Sequence, residues 1–186
     1  GRPQLLPEYE KYYQLVEVGP RKLVTNLVPR RDRLFRCDRT SDGRTTYVDA
    51  SDAAGIKDVG HGLSALWWDY DSDGLSDLYV ANDYDDPDHL YRNNDDGTFP
   101  DALAEVAPHT PWFSMGSDAA DVDNDGRLDL LVADMSSTTH YKSKTTMGAM
   151  NNDRILSVSG PPPQLMRNAL FLNTGVGRFR EAAFLA

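Results

Sequence analysis

Two nine-residue stretches constrain this chain more than anything else in its sequence: Asp69-Tyr70-Asp71-Ser72-Asp73-Gly74-Leu75-Ser76-Asp77 and Asp121-Val122-Asp123-Asn124-Asp125-Gly126-Arg127-Leu128-Asp129. Both read D-x-D-x-D-G-x-x-D. Four carboxylates in so short a loop repel one another unless a cation sits among them, and oxygens at alternating positions suit a hard, flexibly coordinated ion such as Ca²⁺. The spacing therefore predicts two calcium sites. In the first, Asp69, Asp71, Asp73 and Asp77 supply side-chain oxygens and Leu75 its carbonyl. In the second, Asp121, Asp123, Asp125 and Asp129 take those parts, and Arg127, its side chain directed away from the metal, supplies only its carbonyl. Gly74 and Gly126 permit the sharp turn at position six. Mg²⁺ fits less well, because it demands near-ideal octahedral geometry and keeps its waters.

An EF-hand shares the first half of this pattern but requires a bidentate Glu at position twelve and a flanking helix on each side. Position twelve is Val80 in one loop and Val132 in the other. The segments that follow, Leu78-Tyr79-Val80-Ala81 and Leu130-Leu131-Val132-Ala133, are short β-favouring apolar runs. The loops thus connect strands, and the Asp at position nine stands in for the missing Glu.

The repeat reaches beyond the loops. From Asp69 to Asp121 the period is 121 − 69 = 52 residues, a length that indicates a propeller, a solenoid or an array. A second element also recurs, as Leu34-Phe35-Arg36-Cys37-Asp38, Leu90-Tyr91-Arg92-Asn93-Asn94 and Leu170-Phe171-Leu172-Asn173-Thr174. Each is followed by a glycine and an aromatic residue, which reads as a hairpin with an Asn/Asp/Gly turn. One unit then runs strand, calcium loop, strand, spacer, strand, turn, strand, the make-up of a four-stranded propeller blade.

In these motifs the chain resembles the FG-GAP/VCBS repeat family of integrin-alpha-like β-propellers, whose blades carry D-x-D-x-D-G-x-x-D between their first two strands. Ala65-Leu66-Trp67-Trp68-Asp69-Tyr70-Asp71, the Leu90 to Phe99 hairpin and Asp52-Ala53-Ala54-Gly55-Ile56 further resemble the cartilage acidic protein and ASPIC/UnbV-type branch, over roughly residues 30 to 184. The resemblance implies an all-β fold, a partial β-propeller of four-stranded antiparallel blades with calcium loops. It implies a binding, adhesion or scaffold role toward an extracellular protein or glycan, and no enzymatic activity. The alternative is a structural subunit that self-assembles through open blade edges into an extracellular fibre or coat. More remote is the non-catalytic module of a carbohydrate-active enzyme.

Residues 1–30 read as an irregular N-terminal segment, in which Glu8 to Val18 suits a short helix or a strand equally. Residues 31–59 form the closing hairpin of a preceding blade, 60–110 a calcium-binding blade, and 111–186 a second one with an insertion at about 135–168. That insertion shows in the 49 residues from Asp121 to Leu170, against 21 from Asp69 to Leu90. Two and a half blades cannot close a ring, since closed propellers have four to eight. The expectation is either a longer parent chain or copies that complete one another as a homo-oligomer.

The net charge of −10 concentrates in the loops, where metal offsets it, so a nucleic-acid partner is not expected. No stretch of eighteen apolar residues predicts a membrane span. Loops of modest affinity fill in the millimolar calcium outside cells, which points to a secreted or cell-surface protein. The single cysteine, Cys37, is expected to be a buried, inert thiol. His61, His89, His109 and His140 lack zinc-type spacing, and no nucleophile motif occurs. Trp67, Trp68 and Trp112 are read as packing residues.

Overall fold

The computed structural model describes residues 10, 13–19, 22–28, 30–83, 86–135 and 162–183, with backbone alone for 13–19 and 22–27. Apart from two single helical turns the described chain is all-β. It opens with β1 (Tyr13–Gly19) and β2 (Lys22–Leu27), an antiparallel hairpin. Of the two readings left open for the N-terminal segment, the strand is the one adopted, in keeping with the β-branched Val16, Val18, Val24 and Thr25. The tyrosines at 9 and 12 lie outside the described residues.

Next come β3 (Arg30–Arg31), β4 (Phe35–Arg39), β5 (Thr45–Asp49), the helical turn α1 (Ser51–Ala54) and β6 (Val59–Gly60). Strands β4 and β5 pair as the expected hairpin, while β3 pairs with β6. The first complete loop then lies between β7 (Gly62–Trp68) and β8 (Asp77–Asn82), and β9 (His89–Tyr91) completes a three-stranded antiparallel sheet. A second helical turn, α2 (Leu103–Val106), leads to β10 (Thr110–Pro111), β11 (Ser114–Ala120) and β12 (Asp129–Asp134). After β13 (Gln164–Leu165), β14 (Ala169–Asn173) and β15 (Phe179–Glu181) close a four-stranded antiparallel sheet in the order β11-β12-β14-β15.

The predicted succession of strand, loop, strand, spacer, strand, turn, strand is complete in the second sheet. In the first, the fourth strand shrinks to one bridge between Tyr91 and Asp101. Pro100 offers no N–H to extend that ladder, and the N–H of Phe99 goes instead to Ala54 O of α1, 2.7 Å away. The expected insertion lies outside the described residues except for its last part, where β13 pairs in parallel with β10.

Strand β8 shows why the units stack. All six of its residues are buried. Side chains alternate across a strand, so Tyr79 and Ala81 join Leu130, Val132 and Phe171 of the second sheet, while Leu78 and Val80 join Ala54, Ile56 and Phe99 on the opposite side. In β12 the same alternation sends Leu130 and Val132 toward the first sheet. Leu131 and Ala133, which the 52-residue period places at the positions of Tyr79 and Ala81, face outward instead, with Leu131 48% exposed.

Polar ties cross the same interface. Ser64 Oγ and Ser117 Oγ, on β7 and β11, are 3.1 Å apart. The wholly buried Asp88 accepts hydrogen bonds from Tyr79 OH at 2.5 Å, Ser114 Oγ at 2.7 Å and the Asn82 N–H at 2.8 Å. Burial pushes its carboxyl up to about 6 in spite of those three donors.

Two packing expectations need correction. Trp68 and Trp112 are buried, but Trp67 is half exposed, with an edge contact to Phe99 at 6.0 Å between ring centres. Cys37 is exposed, because the β4–β5 hairpin that carries it forms a separate two-stranded sheet whose residues are mostly exposed, among the described residues.

Candidate metal centres

The two loops have the same internal wiring. In the first, Asp69 accepts the N–H of Asp73 on Oδ1 at 3.1 Å and of Gly74 on Oδ2 at 2.9 Å, while Asp73 Oδ1 accepts the N–H of Leu75 at 2.8 Å. In the second, Asp121 accepts from Asp125 at 3.0 Å and Gly126 at 2.9 Å, and Asp125 Oδ1 from Arg127 at 2.9 Å. The backbone takes left-handed φ at Ser72 and Gly74, and again at Asn124 and Gly126.

The ninth-position carboxylates anchor each loop to the hairpin that follows it. Asp77 Oδ2 accepts the N–H of Tyr70 at 3.1 Å and its Oδ1 that of Asn93 at 2.8 Å. Asp129 repeats this with Val122 at 3.0 Å and Asn173 at 2.8 Å. Each asparagine then donates its side-chain amide to position eight of its loop, Asn93 to Ser76 O at 3.0 Å and Asn173 to Leu128 O at 3.3 Å. Asn173 also donates to Tyr70 O, at 2.6 Å, so it touches both loops.

Within this frame Asp69, Asp71 and Asp77 bring carboxylate oxygens within 4.8 Å of one another, as do Asp121, Asp123 and Asp129. Asp73 and Asp125 are not part of these groups. In the second loop the Arg127 guanidinium pairs with Asp125 and donates to Asn173 O at 3.0 Å, so its side chain folds over the loop onto one of the predicted ligands. The donor set fits a hard cation. It offers oxygens alone, and in the first group Arg92 acts on Asp71 only weakly, after burial and the neighbouring aspartates. Burial, and after it the neighbouring Asp71 and Asp73, push the Asp77 carboxyl up to about 6 against the pull of two backbone N–H groups. Burial and Asp73 likewise raise Asp71. A cation at this centre would relieve both.

Asn93 and Asn173 were not singled out by the sequence reasoning, although their signal is present. Both stand at the fourth position of the recurrent hairpin motif, where the leading hairpin, which has no loop before it, carries Cys37. A further group, Asp58, His89 and Asp101, offers ligand atoms within 4.8 Å and has no spacing motif to reveal it, because its members come from three segments.

A Cβ at Gly74 or Gly126 would meet nothing within 4 Å, so space is not what these glycines provide. Their φ of 89° and 86° is the constraint. Gly74→Val is expected to cost about 1–2 kcal/mol of stability, and Gly74→Asn less, since asparagine tolerates the left-handed region. Urea unfolding of the two variants checks this, and equal losses would contradict it.

Residues 69–132, about a third of the chain, match the family model for the FG-GAP-like repeat. The matched segment begins on the first aspartate of the first loop and ends within β12, so it contains both loops. No curated protein matches the sequence.

Proposed function

We propose that the chain is a calcium-stabilised portion of an integrin-like β-propeller of the FG-GAP/VCBS type, secreted or displayed at the cell surface. Its role is to bind or scaffold an extracellular protein or glycan without catalysing a reaction. One observation carries this reading: two loops of identical spacing have the same hydrogen bonds at equivalent places in two stacked sheets, inside a segment that matches the FG-GAP-like repeat. Ca²⁺ is the ion that suits an all-oxygen loop of this kind, and the resemblance to the cartilage acidic protein and ASPIC/UnbV-type branch agrees with it.

The stacking supports the propeller. Each sheet lays one face on the unit before it, and the second sheet presents Leu131 and Ala133 where the first presents Tyr79 and Ala81. A third unit would fit there by the same step that relates the first sheet to the second. At the leading end, the β4–β5 hairpin exposes Phe35, Tyr47 and Val48. These two faces favour a second reading, in which copies of the chain complete one another by self-assembly.

Sedimentation with Ca²⁺ and with chelator tests both readings. The 186-residue chain is expected to associate through these faces, and Leu131→Lys to reduce that association, with the thermal midpoint falling on chelation. A monomer in both conditions, with the same midpoint, would contradict the proposal.

Arg127 supplies a finer test. With its guanidinium on Asp125, it competes with the ion for that carboxylate. Arg127→Ala is expected to raise the second site's Ca²⁺ affinity about two- to fivefold, the effect of removing one partly exposed ion pair. Unchanged or weaker binding in calorimetric titration would mean that Asp125 takes no part.

A further inference from the structure

At the end of the first sheet away from its loop, side chains from four segments converge. His89 begins β9, Asp101 is the bridge partner of Tyr91, and Asp58 and Asp32 flank the β3–β6 pair. The His89 imidazole is buried, with its Nδ1 2.8 Å from Asp101 Oδ2 and 4.0 Å from Asp58 Oδ2. Each group is held by its surroundings. Asp101 Oδ1 accepts the N–H of Leu103 at 2.9 Å and of Leu90 at 3.2 Å, which leaves Oδ2 turned to the imidazole. The Tyr91 ring stacks on His89 at 5.4 Å, and its hydroxyl donates to Asp58 Oδ2 at 3.2 Å.

A second observation is independent of this cluster. Asn82 is wholly buried, its amide donates to Pro87 O at 2.7 Å, and its Oδ1 has no hydrogen-bond partner among the described residues. Asp32 Oδ2 is likewise buried without a donor. Both side chains close over Gly62, where a Cβ would lie 3.4 Å from Asp32 Oδ1 and 3.5 Å from Asn82 Oδ1. Buried acceptors are ordinarily satisfied, and Asp32, which lies close enough to His89 and Asp58 to act on both, presents an orphan oxygen that calls for a positive group.

We propose that His89, Asp58 and Asp101, with Asp32 beside them, form a third cation site, one that takes a borderline transition ion of the Zn²⁺ class. The imidazole sets the preference: ring nitrogen suits Zn²⁺, whereas Ca²⁺ and Mg²⁺ seek oxygen alone. The ion would bind His89 Nδ1 and one oxygen each of Asp58 and Asp101. The backbone donors on Asp101 and the Tyr91 hydroxyl on Asp58 act as the outer contacts that orient such ligands. This site shares no residue with the two loops and does not depend on their metal.

The test is calorimetric titration of the full chain with Zn²⁺ at neutral pH in millimolar Ca²⁺, which keeps the loops occupied, together with Asp58→Asn, Asp101→Asn and His89→Gln. One Zn²⁺ per chain is expected, with affinity at least tenfold weaker in Asp58→Asn and binding lost in His89→Gln. Asp58 is the more exposed of the two carboxylates, so its variant keeps the test open if the others fail to fold. No Zn²⁺ uptake by the parent chain, uptake unaltered in Asp58→Asn and His89→Gln, or displacement of the Zn²⁺ by millimolar Ca²⁺ would each overturn the proposal.

Discussion

Asp88→Ala is expected to lower the stability of the chain by about 3–5 kcal/mol, the largest loss from any single polar side chain between the two sheets. Three buried donors, the Tyr79 hydroxyl, the Ser114 hydroxyl and the Asn82 N–H, end on this one carboxylate. Removing it strands all three, and each unsatisfied buried group costs about 1–3 kcal/mol. Ser114 belongs to the second sheet, so the loss also loosens the contact between sheets. Asp88→Asn retains an acceptor and removes a buried charge, so it should cost less than half as much. Equilibrium unfolding in urea measures both, and an alanine variant within 1 kcal/mol of the parent would show that these donors find water instead.

The second large effect is expected at Asn173. Its side-chain amide donates to Tyr70 O in one loop and Leu128 O in the other, while its Oδ1 accepts the Gly175 N–H at 3.0 Å. Asn173→Ala should cost about 2–3 kcal/mol and weaken Ca²⁺ binding at both loops, because the backbone of each is held by this residue. Asn93→Ala, whose amide donates to Ser76 O and whose Oδ1 accepts the Asp95 N–H at 3.1 Å, should weaken the first loop alone and cost about 1–2 kcal/mol. Titration of the two variants separates them. If Asn173→Ala altered only the second loop, the bond across to Tyr70 would carry no coupling.

The contrast between these residues shows how far the sequence could be read. The two acidic loops and the strands beside them were legible because local spacing encodes them: a glycine at position six takes the left-handed turn, and a four-residue apolar run after the loop has strand periodicity. The hairpins were legible from their turn residues. Asp88 and the group around His89 were not, because their partners lie 6 to 33 residues away or on another sheet and no period relates them. Cys37 was misread for a related reason. Its place in the hairpin motif is that of Asn93 and Asn173, which are held by a preceding loop, whereas among the described strands its own pairs with β5 alone. Arg127 shows the limit within the motif itself, since its backbone role was read from position seven while its side chain obeys the nearest carboxylate.

The most direct measurement is Ca²⁺ titration of the metal-stripped chain by calorimetry, with bound metal counted after dialysis. Two Ca²⁺ per chain are expected in the parent, one in Asp71→Asn and one in Asp123→Asn. No Ca²⁺ uptake by the folded parent chain, or uptake that survives both substitutions together, would contradict the account.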